Sequence, residues 1–254
     1  MKDSVSFDDA VEFYDRTRGG LSVGRNIADV MNAHLAPASS VLELGVGTGL
    51  IALPLTELGH TVRGIDLSPK MIRLARDRIG ARVAVADATR VPIASTSCDS
   101  IVASRILHVV GDPVAALAEA ARIVRSGGQL FVVPAGGGRL DGREQPDDIG
   151  LIAREMRIGR AARGPTPDEA IALADSTGFE LVARERTAPE EYGESPREHA
   201  ARIEQRTWSG LWGVDDETWA RSVQPTIDRL LALPDPDRPR TRRRSHRVLV
   251  FARR

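Results

Sequence analysis

The sequence predicts an α/β fold: a mostly parallel, seven-stranded sheet with helices on both faces and a helical insert before the last strand. Three observations carry this. The run Val41-Leu42-Glu43-Leu44-Gly45-Val46-Gly47-Thr48-Gly49-Leu50 opens as an apolar strand and passes through a glycine-rich turn into a helical pattern. Strand and helix patterns then alternate, and acids close successive strands one βα unit apart, at Glu43, Asp66 and Asp87. Finally, Ser68-Pro69, Asp112-Pro113, Thr166-Pro167 and Ser195-Pro196 each pair a capping side chain with proline in the first helical turn.

A chain of 254 residues suits one α/β domain with an elaboration, or at most two domains. Hydrophobic residues make up 42%, yet no uninterrupted apolar run reaches membrane-spanning length. Met1-Lys2-Asp3-Ser4 leads into acidic Asp8-Asp9, not an apolar signal core. The lone Cys98 can form no internal disulfide, which leads us to expect a cytoplasmic protein. Lys plus Arg balances Asp plus Glu at 35 each, which removes any general attraction to nucleic acid and leaves only a local patch open. The histidines, His34, His60, His108, His199 and His246, show no metal-ligand spacing, so no metal is expected.

In chain order, Ser6 to Arg18 reads as a short helix carrying Tyr14 and Arg18, and Val23 to Leu35 as a second that stops at Pro37. After the glycine turn, Leu50 to Leu58 is helical. Thr61 to Asp66 is strand two, and Leu67-Ser68-Pro69 opens a helix with Met71 in its first turn. Ala81 to Ala86 is strand three, closed by Asp87-Ala88. Cys98 to Ser104 is strand four, followed by a helix from Val114 to Val124, a turn at Ser126-Gly127-Gly128 and strand five from Gln129 to Val133. Leu140 to Arg163 is polar, with a helix only between Ile149 and Arg160. Thr166 starts a helix reaching Thr177-Gly178, and Phe179 to Thr187 is strand six.

A helix from Ser195 through about Leu211 would bring Trp208 and Trp212 to one face, at i and i+4. Another runs from Glu217 to Leu233. Arg238 to Arg244 reads as a solvated basic loop, and Ser245 to Arg254 as strand seven. The expected organisation is therefore a single domain with an N-terminal helical lid (1–38), a core (39–187), a helical insert (188–240) and a final strand (241–254).

The glycine spacing separates two ligand classes. A dinucleotide site wants G-x-G-x-x-G for its pyrophosphate. Here the spacing is G-x-G-x-G, with Glu43 two positions before Gly45. That carboxylate would repel a pyrophosphate and could pair with a cationic ligand group. Gly45, Gly47 and Gly49 carry no Cβ and let a ligand lie against bare backbone. Asp66 stands where an acid about 20 residues beyond the glycines accepts ribose hydroxyls. His108 is the one histidine near the expected mouth, suited by pKa to act as a base, with a structural loop histidine as the plain alternative.

These residues carry a resemblance. Glu43-x-Gly45-x-Gly47-x-Gly49 resembles the first motif of the class I S-adenosylmethionine-dependent methyltransferases, and Asp66-x-Ser68-x-x-Met71 resembles their pattern after the second strand. The resemblance spans Ser39 to about Val133 and implies a Rossmann-like sheet with an antiparallel last strand. It implies S-adenosylmethionine as cofactor and S-adenosylhomocysteine as product. Glu43 would steer the cofactor's ammonium, Asp66 grip the ribose, Asp87 read the adenine and Tyr14 and Arg18 fold over the methionine end; Met71 would cover the adenine, with core packing as its plain alternative, and Leu67, Ala88 and Ser104 are further candidate cofactor contacts. The plain alternative for Tyr14 and Arg18 is a surface helix.

The segment from Ser104 through Arg105 to His108 lacks the Asn/Asp-Pro-Pro-aromatic tetrapeptide of base-amine methylating enzymes. The resemblance is to the cluster of quinone-biosynthesis and natural-product enzymes, which implies a small-molecule acceptor. Arg105, Trp208 and Trp212 are its candidate contacts and His108 the candidate catalytic residue. The competing readings are a NAD(P)-dependent oxidoreductase and a catalytically inactive cofactor-binding module. Monomer and homodimer are both open.

Overall fold

A computed structural model describes residues 14–15, 18–135, 147–158 and 164–254. Its helices are α1 (Gly20–Asn32), α2 (Ala52–Glu57), α3 (Pro69–Ile79), α4 (Pro113–Ile123), α5 (Asp148–Glu155), α6 (Pro167–Ser176), α7 (Pro196–Glu204) and α8 (Gln224–Leu231). The strands are β1 (Ser40–Leu44), β2 (Thr61–Asp66), β3 (Val83–Val85), β4 (Cys98–Ser104), β5 (Val124–Val133), β6 (Phe179–Arg186), β7 (Glu190–Glu194), β8 (Arg240–Arg244) and β9 (Arg247–Arg253). The chain divides into two units. One comprises Met1–Ala135, Pro165–Thr187 and His246–Arg254, the other Gly136–Gly164 and Ala188–Ser245.

The first unit holds a seven-stranded sheet in the order β3-β2-β1-β4-β5-β9-β6. Strands β3, β2, β1, β4 and β5 are parallel, and β9 runs antiparallel between β5 and β6. The mostly parallel sheet with an antiparallel last strand is the expected architecture. Successive residues of the central strands feed opposite cores. Leu42, Ile101 and Leu130 pack with α4 and α6, while Val41, Val102 and Phe131 pack with α1, α2 and α3. Helices on both faces bury all but Ser40 of β1 and all but Asp99 of β4, which is why these strands read as nearly continuous apolar runs. Cys98 lies buried on β4.

The proline-led helix starts hold as local chemistry. Ser68, Asp112, Thr166 and Ser195 each accept a backbone N–H from the first turn, and Thr166 and Ser195 form full capping boxes with Glu169 and Glu198. Strand boundaries moved where tertiary pairing decides them. β3 shrinks to three residues at the sheet edge, where it has β2 alone to pair with. β5 begins at Val124, inside the expected helix end, because Val124 pairs with Cys98 before the register shifts to Ser100 opposite Gln129. The expected Ser6 helix lies outside the described residues apart from Tyr14, Asp15 and Arg18, as do 140–146 and 159–163.

The second unit corrects two expectations. The Ser195 helix ends at Glu204 rather than near Leu211: Arg206 takes a positive φ and Trp208 is extended, so Trp208 and Trp212 do not share a helical face. Thr207 fixes this break by donating both its N–H and its hydroxyl to the Arg202 carbonyl. The basic loop is instead strand β8, paired antiparallel with acidic β7. Arg244 lies opposite Glu190 and Arg243 opposite Glu191, and both pairs form ion pairs. Opposite charges facing across a ladder supply what β-propensity lacks. The unit's apolar core joins Ile149 and Ile152 of α5, Ala200 and Ile203 of α7, and Ile227 and Leu230 of α8. The helical stretch before α8 takes a π turn over Trp219–Val223.

Packing against the glycine turn is tight. A Cβ on Gly24 of α1 would lie 1.9 Å from the Leu50 carbonyl oxygen. We therefore expect Gly24→Ala to lose about 1–3 kcal/mol, read as a lower urea midpoint at unchanged slope. A variant as stable as the wild type would show that α1 does not press on this turn.

Candidate active site

Backbone geometry builds the site at the carboxyl ends of β1 and β2. Gly45, Gly47 and Gly49 all hold positive φ, at 67°, 55° and 85°. Two of them also need the missing side chain. A Cβ on Gly45 would sit 2.7 Å from Ile106 Cδ1, and one on Gly47 3.3 Å from the Tyr14 ring. The turn is stitched to β2 on both sides: Val46 N–H donates to the Ile65 carbonyl at 2.8 Å, and Gly47 N–H to Asp66 Oδ2 at 2.9 Å. Asp66 Oδ1 accepts from Ser68 N–H at 2.9 Å. One carboxylate thus spans the glycine turn and the entry to α3.

A pocket of about 620 Å³, partly open to solvent, lies over this turn. Of the residues singled out from sequence, Gly45, Gly47, Asp66, Leu67, Met71, Asp87 and Ala88 line it. Tyr14, Arg18, Ser104 and Arg105 line it as well. Gly49 lies one step further round the turn, facing Ala75 and Arg78 of the α3 helix. Ile106, Val109 and Val110 add an apolar wall that sequence reading did not assign.

Two predicted residues stand behind the wall. Glu43 on β1 is buried and its Oε2 has no hydrogen-bond partner. Burial pushes its carboxyl up to about 8, with Asp66 adding to the rise and the Arg105 guanidinium opposing it. At pH 7 it is largely neutral. His108 moves the other way, down to about 4, first through burial and then through Arg18 and Arg105. It is a neutral imidazole at pH 7.

The N-terminal segment is latched over the glycine turn through residues that sequence reading missed. Thr48 Oγ1 donates to Asp15 Oδ1, Arg78 of α3 pairs with Asp15, and Arg78 also donates to the Thr48 carbonyl at 2.8 Å. Beside this latch the Arg18 guanidinium lies 5.3 Å from the centre of the Tyr14 ring. No local signal joins Asp15 to Arg78, because the contact closes only once α3 has packed.

Trp208 and Trp212, the expected acceptor wall, belong to the second unit and are engaged inside it. Trp208 packs with that unit's core, 5.2 Å from the His199 ring and 5.6 Å from the Arg202 guanidinium. Trp212 Nε1 donates to the Arg206 carbonyl at 2.7 Å. Among the described residues, no cluster of three or more His, Cys, Asp or Glu could hold a metal, and no helix is long and apolar enough to cross a membrane.

Glu43 carries a prediction of its own. Its folded pKa lies above its unfolded value, so its burial costs nothing below about pH 4.5 and progressively more up to about pH 8. Glu43→Gln should match the wild type at pH 4.5 and exceed it by roughly 3–5 kcal/mol at pH 8.5, by urea unfolding. An equal difference at both pH values would mean that Glu43 does not titrate from a buried site.

The chain is similar to known proteins in sequence and in fold. A family model for a methyltransferase domain matches residues 42–132. A demethylmenaquinone methyltransferase of Mycobacterium sp. (strain JLS) is 31% identical over 211 residues, covering 82% of this chain and 87% of that protein. The enzyme of the same name from Renibacterium salmoninarum is 35% identical over 136 residues, 51% of this chain, and there the chain spans only 56% of the relative's length. Among solved structures, a SAM-dependent methyltransferase from Thermotoga maritima, described as a possible histamine N-methyltransferase, shares the fold with a TM-score of 0.58 at 19% identity, over 98% of each chain. With a relative aligned along most of its length and a methyltransferase-domain match over the glycine turn and the strands beyond it, the chain belongs to the class I S-adenosylmethionine-dependent methyltransferases.

Proposed function

We propose that this enzyme methylates a small planar acceptor at the pocket above the glycine turn, with S-adenosylmethionine as donor. The observation that carries the reading is the pairing of a Cβ-free turn with carboxylates at its rim, Asp66 and Asp87, over a buried carboxyl, Glu43, that has an unsatisfied oxygen. That donor set fits a cationic nucleoside and not a pyrophosphate. When bound, S-adenosylmethionine supplies a methyl carbon on a sulfonium, open to in-line displacement with the carbon–sulfur electron pair leaving on sulfur.

The chain's own residues then have distinct tasks. Asp66 retains lone pairs beyond its two backbone donors and would accept the ribose hydroxyls. Asp87, with one oxygen already bound to Thr89 N–H at 2.8 Å, would meet the adenine edge beside Ala88, with Leu67 and Met71 against the ring. Tyr14, Arg18 and Ser104 would hold the methionine end, and Glu43 would ionise as the ammonium arrives. Much of the catalysis would be alignment and exclusion of water.

His108, the candidate base, is neutral and able to take a proton. A pKa of about 4 sets a limit, however: against a phenol near 10, the mismatch of about six units costs roughly 8 kcal/mol. It can serve only an acceptor that is already acidic or already ionised. The names of the demethylmenaquinone methyltransferase relatives and the apolar wall of Ile106, Val109 and Val110 support an aromatic, quinol-like acceptor.

Two measurements test the reading. S-adenosylhomocysteine should raise the melting temperature while NADH does not; the reverse would favour an oxidoreductase. Asp66→Asn should weaken S-adenosylhomocysteine binding by about 1.5–3 kcal/mol, the loss expected for hydrogen bonds to a charged acceptor. An unchanged dissociation constant by calorimetry would remove Asp66 from the cofactor site.

A further inference from the structure

Tyr14, Asp15 and Arg18, the described residues ahead of Gly19, form a strap across the glycine turn. Tyr14 and Arg18 line the pocket, with the Tyr14 ring packed against Gly47. What lies against Gly45 and Gly47 therefore lies against the strap as well. The contacts that fasten the strap are polar. Asp15 accepts the Thr48 hydroxyl and pairs with Arg78 of α3, which also donates to the Thr48 carbonyl at 2.8 Å. Among the described residues, the apolar cores of this unit begin only at Val23. An element held by a few polar contacts, with little apolar surface buried, opens at a far lower free energy than the domain around it. The Arg78 and Asp15 side chains are 25% and 35% exposed, so water can take over their bonds as they part.

The strap also has a hinge. Gly19 and Gly20 both hold positive φ, at 86° and 64°, and a Cβ on Gly20 would meet nothing within 4 Å. Two successive residues without a Cβ can absorb a large change of φ and ψ. The helix beyond them is fixed, because Gly24 of α1 presses on the Leu50 carbonyl. Motion at the glycine pair would thus move the strap and leave α1 in place. Asp15, Thr48 and Arg78 themselves stand outside the pocket lining.

We propose that the contacts of Asp15 with Thr48 and Arg78 are the gate for donor exchange. S-adenosylmethionine enters, and S-adenosylhomocysteine leaves, when Asp15 swings off Thr48 and Arg78 about Gly19 and Gly20. The contacts close again over the bound nucleoside. The inference rests on the assignment of the cofactor to this pocket. Asp15 and Arg78 are then positioning residues, acting through Tyr14 and Arg18 and touching no ligand themselves. Such a gate scales entry and departure together, because both pass through one open state, and it leaves the equilibrium between them nearly unchanged. A contact that merely braced the site would behave otherwise. Its loss would hasten departure alone and weaken affinity by the same factor.

The test follows S-adenosylhomocysteine binding to the immobilised full chain by surface plasmon resonance, which reads both rate constants. Asp15→Ala should raise the association and dissociation rate constants together, each by roughly tenfold, as expected when one partly exposed ion pair and one hydrogen bond are lost. Their ratio, the dissociation constant, should barely move. Arg78→Gln should act in the same direction, and Arg78→Lys, which keeps the charge, should restore most of the slow exchange. Arg76→Gln, exposed on the same helix and outside these contacts, should leave both rates at the wild-type values. Melting curves establish that each variant is folded. An association rate constant unchanged in both Asp15→Ala and Arg78→Gln, or a rise in dissociation alone, would overturn the gate and leave these contacts a structural brace. No binding of S-adenosylhomocysteine to the wild-type chain would overturn the cofactor reading and the gate with it.

Discussion

The site depends on one side chain that joins two loops. Asp66 ends β2, and its two oxygens accept backbone N–H groups from Gly47 on one side and Ser68 on the other. A single rigid carboxylate therefore sets the separation between the glycine turn and the first turn of α3. The Val46 N–H to Ile65 carbonyl bond closes the same gap from the backbone side. What lies above inherits this spacing: the floor at Gly45 and Gly47, the flank at Leu67 and Met71, and the latch from Asp15 to Thr48 and Arg78. A carboxylate so fully committed to structure is also pre-organised to accept further donors, because the cost of orienting it has already been met within the fold.

Burial then sorts the ionisable groups into charged and silent ones. Glu43 and His108 stand behind the wall, and desolvation moves both toward the neutral form, one upward and one downward. Arg18 and Arg105 cannot respond in that way, because a guanidinium keeps its proton at any ordinary pH. The pocket wall thus carries two aspartates and two arginines, with the buried Glu43 carboxyl behind it. In surroundings of low effective dielectric, such fixed charges select ligands more strongly than the same groups would in water.

Much of the site was readable from the chain because its chemistry is local. Glu43, the alternating glycines, Asp66, Ser68 with Pro69, and Asp87 fall at spacings that one βα unit dictates. Helix caps were equally legible, since a cap is decided within four residues. Failures came where distant partners decide. Arg240 to Arg244 carries no β-propensity and becomes a strand only because Glu190 to Glu194 lies opposite. Asp15 drew no notice, as nothing near it in sequence hints at Arg78. The Ser195 helix stops short of its periodic pattern because the Thr207 hydroxyl turns back to the Arg202 carbonyl and ends the run.

The placement of β8 and β9 has a consequence for how the chain comes together. These strands are consecutive, yet β8 completes the two-stranded ladder of the second unit while β9 fills the slot between β5 and β6 in the first. Neither unit can finish its hydrogen bonding until β8 and β9 have been made. Up to that moment β5 and β6 present raw edges toward an empty lane, and the glutamates of β7 lie together without their cations. Such open edges are where chains associate wrongly. One short stretch of chain, β8 with β9, therefore acts as a zip for both units at once, and its arrival, rather than the folding of either unit alone, commits both sheets to their final pairing.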